Sequence, residues 1–195
     1  MSKTQFGKYQ REPIWRPKRQ IFHADLDADL ATWLFDPTSL TERLVSACSG
    51  SFSVHILSQG WSHAMLNEAK TLNMRLSGRA LVREVHLLCN DEPWVFARTV
   101  IPPHTLRGKQ RRLAKLGKKP LGAVLFADKS MQRTEMEIAC IQPGQQLYQL
   151  ATHHLSHCEQ PIWGRRSVFF LNKRPLMVSE IFLPHLGSPT HRCLT

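Results

Sequence analysis

The chain has 195 residues, 42% hydrophobic and 21% charged, a globular balance that excludes a disordered or fibrous protein and suits one domain with a sizeable core. Lys and Arg outnumber Asp and Glu 26 to 15, a formal net charge of +11, so the summed field favours anionic partners: nucleic acid, acidic lipid or an anionic metabolite. No run approaches the roughly 18 apolar residues of a membrane span, and the basic N-terminus lacks the apolar run of a signal peptide. The 5 cysteines form no Cys-x-x-Cys pair, which argues against a disulfide framework or zinc knuckle and for a reducing cytoplasm.

Residues 1–20 are polar and basic and are broken by Pro13 and Pro17. This predicts an extended, solubilising arm ahead of a folded domain over 21–195. Leu26, Leu30 and Leu34 recur at helical spacing until Asp36-Pro37 stops them. Ser39 with Glu42 forms a capping-box signature for a second helix that ends near Ser49-Gly50. Phe52, Val54 and Ile56 then alternate with polar residues as in a half-buried strand that Gly60 and Trp61 interrupt. Residues 62–77 carry no decisive period.

Residues 80–89 and 94–101 are rich in β-formers on either side of Asn90-Asp91-Glu92-Pro93, which predicts a hairpin. Residues 105–116 carry helix formers with Gly117 as C-cap, and Leu121, Val124 and Leu125 suit a further helical turn. Strand character returns over 134–141, 167–171 and 176–183, the last two joined across Asn172-Lys173-Arg174-Pro175. Strands joined by tight turns are antiparallel. The fold class expected is α+β, a single antiparallel sheet with short helices.

Alternation places charges in apolar rows. Leu81, Arg83, Val85 and Leu87 share one face of the first hairpin strand, Trp94, Phe96, Arg98 and Val100 one face of the second, and Leu176, Val178, Glu180 and Phe182 one face of the last strand. A charge moved out of water without a partner costs several kcal/mol or more. A buried Arg-Glu bridge or an exposed face would satisfy any one of the three. Taken together, two cations against one anion leave a positive charge that a bound carboxylate can satisfy.

The same residues carry a resemblance. Arg83-Glu84-Val85, Glu92-Pro93-Trp94, Ala97-Arg98-Thr99-Val100, Lys115-Leu116-Gly117, Lys119-Pro120-Leu121-Gly122, Trp163-Gly164-Arg165-Arg166-Ser167 and Glu180-Ile181-Phe182-Leu183-Pro184, in this order, resemble the chorismate pyruvate-lyase family. Those enzymes convert chorismate to 4-hydroxybenzoate and pyruvate for ubiquinone synthesis. The resemblance implies short helices and a sheet enclosing a buried ligand site. By it, Arg83 would hold the ring carboxylate with backbone N–H groups of Ile56 and Leu121, Glu180 would meet the ring hydroxyl, and Arg98 would be a second arginine of the site. Arg83, Glu180 and Arg98 are thus the expected catalytic residues, and Ile56, Arg83, Leu121 and Glu180 the expected substrate contacts. It implies no metal or organic cofactor. A monomer in the cytoplasm, with no nucleic-acid partner, is expected. Residues 142–161 look longer than in the family, and 128–134 lack a close match.

The rival reading is a non-catalytic carboxylate-binding module akin to the effector domains of transcription regulators, although the first 50 residues are too few for a winged helix with its linker. The basic run Arg107, Lys109, Arg111, Arg112, Lys115, Lys118 and Lys119 has no interleaved aromatic residue to stack on bases and reads as a solvated face. His153, His154, His157 and Cys158 lack a carboxylate or second cluster to complete a metal set. Cys48, Cys89 and Cys140 read as buried fillers. Of Arg165 and Arg166, at most one can face inward.

Overall fold

The computed structural model describes residues 12–21, 26–155 and 158–186. One antiparallel sheet dominates: β1 (Arg16–Pro17), β2 (Phe52–His63), β3 (Arg79–Cys89), β4 (Glu92–Ile101), β5 (Gln132–Arg133), β6 (Glu137–Ile141), β7 (Ile162–Leu171) and β8 (Arg174–Phe182). The spatial order is β1-β6-β7-β8-β4-β3-β2, with β5 sharing the β6 edge of β7. The helices are α1 (Ala28–Leu34), α2 (Leu40–Ala47), α3 (Leu66–Thr71), α4 (Leu121–Phe126) and α5 (Gln146–Thr152), with a 3-10 segment over Gly108–Lys115.

Local chemistry explains most boundaries. Asp27 caps α1 by accepting from the N–H groups of Asp29 and Leu30, and Ser39 caps α2 by accepting from that of Glu42. Leu30, Leu34, Leu40 and Leu44 are all buried, as their spacing requires. Both hairpins turn on two residues of positive φ, Asn90 and Asp91 in one, Asn172 and Lys173 in the other. Such left-handed pairs match the twist of the flanking strands, so β4 and β8 begin earlier than turns of four residues would allow. Gly117 has φ +54° just after the 3-10 segment, the conformation a C-cap glycine supplies.

Two strand readings need correction. β2 runs through Gly60 and Trp61 to His63, because nothing bulky meets Gly60 and the ladder to β3 continues beyond it. The described part of the N-terminal arm is extended up to Pro17 and then makes a 3-10 turn over Lys18–Gln20, and it is docked: Arg16 and Pro17 pair with β6 and the carboxylate of Glu12 accepts from the N–H groups of Leu66 and Asn67. Residues 1–11 lie outside the described residues.

Cys48 and Cys89 form a disulfide, with Cα atoms 5.7 Å apart, and Cys140 is disulfide-bonded as well. The expectation of unbonded fillers is overturned, and with it the argument from cysteine count to a reducing compartment. Spacing concealed the pair: Cys48 ends α2 and Cys89 ends β3, and only the fold brings them together.

The sheet has two covered faces. On the front lie Val54, Val85, Leu87, Val95 and Phe182 against α1 and α2, and Leu81, Phe169 and Val178 against α4 and the 3-10 segment. On the back lie Phe96, Ile141 and Ile181 against α5. Among the described residues no helix is long and apolar enough to cross a membrane.

Candidate active site

β-bulges decide which charges meet. Opposite the Asn90-Asp91 turn, Cys89 pairs with Glu92 and Leu88 with Pro93, but Leu87 pairs with Val95, so Trp94 is an extra residue. Had the ladder continued in its first register, without the bulge, Arg98 would stand opposite Arg83. With the bulge, Arg83 faces Thr99 and Arg98 faces Glu84. A one-residue shift reverses every side chain beyond it, and Arg98 goes to the back of the sheet.

There Arg98 donates to Glu68 through Nε at 2.8 Å and to Glu84 through Nη1 at 2.5 Å. Arg98 and Glu68 side chains are 7% and 4% exposed. Burial works against the Arg98 charge, but the two carboxylates outweigh it and raise its pKa. Arg98 therefore belongs to a buried ion network that fastens α3 to the sheet. The expectation that it shares a site with Arg83 is not met.

A second bulge sits in β2, where Val85 pairs with Ile56 and Glu84 already with Ser58. It turns Gln59 onto the front face opposite Arg83. Arg83 donates through Nη1 to the Gln59 side-chain oxygen at 2.8 Å and through Nη2 to the carbonyl of Gly117 at 2.9 Å. Among the described residues no carboxylate pairs with it. Burial pushes the Arg83 pKa down from its ordinary value, yet a guanidinium stays charged.

These groups line a cavity of about 600 Å³ including the open space at its mouth. The front face supplies Val54, Val85, Ala97 and Val178 as an apolar floor, and α2 and α4 supply Leu40, Thr41, Leu121 and Leu125 as a roof. A Cβ on Gly122 would lie 3.0 Å from the hydroxyl of Thr41, so the glycine lets the two roof helices close. Leu121 stands in the wall. Ile56 shares the front face and packs on the core beside the cavity, while Val54 takes the place in the lining.

Glu180 enters the cavity from β8, paired with a residue that alternation alone did not select. Arg165 donates through Nε to Glu180 at 2.6 Å, and through Nη1 to the carbonyls of Trp33 and Asp36 at 2.8 and 2.7 Å. Arg166 turns to the back, where it meets Glu137 and Asn67, so one of the two arginines faces inward. Trp163 packs in the front core with Leu30 and Phe182. Arg133 was missed altogether. It reaches the cavity from β5, donating through Nε to the hydroxyl of Ser167 and through Nη1 to the carbonyl of Pro37.

The lining thus carries Arg83, Arg133 and Arg165 against Glu180, an excess of two positive charges in a largely apolar chamber. Sheet spacing sets the distance between its ends. Arg83 and Glu180 lie two strands and two residues apart, which puts their Cα atoms roughly 12 Å from each other. A single six-membered ring with a polar group at each end fits between two such side chains.

The sequence model of the family described as chorismate lyase matches residues 10–190. The chain belongs to the chorismate lyase family. It is 42% identical over 155 residues to a probable chorismate pyruvate-lyase of Methylococcus capsulatus, covering 80% of this chain and 94% of that one. To the protein so named in Pseudomonas putida it is 37% identical over 172 residues, covering 88% and 89%. Among solved structures, PhnF from Mycobacterium smegmatis aligns with a TM-score of 0.55 at 13% identity over 79% of this chain and 67% of that one. A GntR-family transcriptional regulator from Bacillus cereus aligns at 0.51 and 11% identity over 74% and 99%. At such identities these two show a shared fold and nothing more.

Proposed function

We propose that the chain eliminates pyruvate from chorismate to give 4-hydroxybenzoate, without a cofactor, for ubiquinone synthesis. The observation that carries this reading is Arg83: a buried guanidinium without a carboxylate among the described residues, facing into a chamber whose far side holds Glu180. A carboxylated ring with a hydroxyl opposite supplies what both ends lack. Arg83 donates to the ring carboxylate and Glu180 accepts from the hydroxyl.

In the reaction the ether bond between the ring and the enolpyruvyl group breaks. The hydrogen on the hydroxyl-bearing carbon leaves the ring, and the methylene carbon of the departing group gains one, so that 4-hydroxybenzoate and pyruvate together account for every atom. Aromatisation supplies the driving force. The protein's task is to orient the ring and to stabilise negative charge growing on the departing enolpyruvyl oxygen, which an arginine-rich, mostly apolar chamber is built to do. A dianionic substrate also matches the excess of two positive charges.

The location proposed is the cytoplasm. There the Cys48–Cys89 bond would persist only if its reduction potential lies below that of the glutathione pool.

The test is equimolar formation of 4-hydroxybenzoate and pyruvate from chorismate by metal-free protein. If folded protein binds 4-hydroxybenzoate but forms no product, the non-catalytic carboxylate-binding module replaces this reading.

A further inference from the structure

Chorismate has two carboxylates, and Arg83 accounts for one. Glu180 already neutralises Arg165, and Arg165 spends further donors on Trp33 and Asp36. That leaves Arg133. Its Nε and Nη1 are taken by neutral oxygens, Ser167 Oγ at 2.9 Å and the Pro37 carbonyl at 3.1 Å. Nη2 has no acceptor among the described residues. The guanidinium also lies over the ring of Phe169, 5.1 Å from its centroid. The fork is thus held in one plane on two sides with one nitrogen directed nowhere else, and it lines the cavity.

We propose that Arg133 is the anchor for the side-chain carboxylate of the substrate, the one that leaves with pyruvate, and so a binding residue for the leaving group. The inference rests on the lyase reading above and deepens it. Its placement suits the role. Arg83 enters from β3 and Arg133 from β5, on opposite sides of the strands that carry Glu180 and Arg165. A ligand held by its ring carboxylate at Arg83 and by its hydroxyl at Glu180 extends its ether substituent past Glu180 toward β5. The position also gives a chemical consequence. A cation beside the enolpyruvyl group attracts electrons away from the breaking ether bond, and once the bond is cut it holds pyruvate by a carboxylate that 4-hydroxybenzoate does not have.

A structural role predicts something different. If Arg133 only fixed the loop at Pro37 that leads into α2, its removal would disturb every ligand alike. The discriminating pair is 4-hydroxybenzoate and 3-carboxymethoxy-4-hydroxybenzoate, an inert aromatic that keeps a second carboxylate on an ether at the same ring position. Binding of both is measured by calorimetry to the full chain and to Arg133→Gln and Arg133→Lys, with thermal unfolding as the check on folding. Arg133→Gln is expected to weaken the dicarboxylate roughly 10- to 100-fold, the effect of one charge-assisted hydrogen bond. Arg133→Lys should recover part of that loss, and 4-hydroxybenzoate should shift less than about twofold in either variant. Equal weakening of both ligands, or of neither, overturns the assignment. If Arg133→Gln does not fold, Arg133→Lys decides by the same comparison. Absence of chorismate turnover by the unaltered chain would instead count against the lyase reading, since the binding difference is read without catalysis.

Discussion

Arg165 and Glu180 form the pair on which the cavity's far wall is built. Their side chains are 1% and 19% exposed and meet at 2.6 Å, and the same guanidinium ties down the carbonyls of Trp33 and Asp36. The group expected to meet the ring hydroxyl is therefore held by a residue that also fixes the entry to α2.

Glu180→Gln keeps the shape but leaves a buried guanidinium without its counter-charge. Removing one partner of a buried pair costs about 3–5 kcal/mol, and the two carbonyls that still accept from Arg165 reduce this to about 2 kcal/mol. Urea unfolding should show that loss, and kcat for chorismate should fall at least about tenfold. Unchanged kcat with lowered stability would confine Glu180 to a structural role.

Arg83→Ala removes the cavity guanidinium that donates to Gln59. Affinity for 4-hydroxybenzoate should drop roughly 10- to 100-fold, as loss of a charge-assisted hydrogen bond requires. Arg83→Lys should restore it only in part, because an ammonium lacks the fork that also reaches Gln59 and Gly117. Calorimetric titration of both variants checks this.

Arg98→Met acts on the other side of the sheet. It strands Glu68, whose side chain is 4% exposed, and should cost about 3–5 kcal/mol of stability. Protein that remains folded should bind 4-hydroxybenzoate within about twofold of the unaltered chain. A variant as stable as the parent but unable to bind would return Arg98 to the site.

His86 makes stability depend on acid. It is 4% exposed and its Nε2 finds no partner among the described residues. Burial, with smaller contributions from His154 and His55, lowers its pKa to about 4, against an opposing hydrogen bond to the Ala151 backbone. A histidine whose folded pKa lies below its unfolded value takes up its proton mainly in the unfolded state, so stability is present above about 6.5 and is lost as pH falls toward 4. The loss should reach about 3 kcal/mol at pH 4. His86→Phe should flatten that part of the profile, measured by urea midpoints between pH 7 and pH 4. An unaltered profile would place the acid sensitivity elsewhere.

Much of this was legible in the sequence, for identifiable reasons. The Leu81-Arg83-Val85-Leu87 and Leu176-Val178-Glu180-Phe182 rows both lie on the sheet face that carries the cavity because β3 and β8 alternate without interruption across those residues. Arg98 misled because Trp94 inserts one residue into the hairpin, and a bulge leaves no mark on periodicity. The bulge that turns Gln59 inward is silent in the same way. Arg133 sits on a strand of two residues, too short to have a period. Arg165 was narrowed to one of two by alternation and could be chosen only once its neighbour was seen facing Glu137. The Cys48–Cys89 pair depends on where α2 ends against β3, which no local pattern encodes.

The most direct measurement is a crystal structure of the chain with 4-hydroxybenzoate bound. The carboxylate should lie within hydrogen-bonding distance of the Arg83 guanidinium and the phenolic oxygen at Glu180, with Arg98 still on the far side of the sheet. A product molecule lying elsewhere, or turned so that its carboxylate meets Arg165 or Arg133 and its hydroxyl meets Arg83, would contradict it.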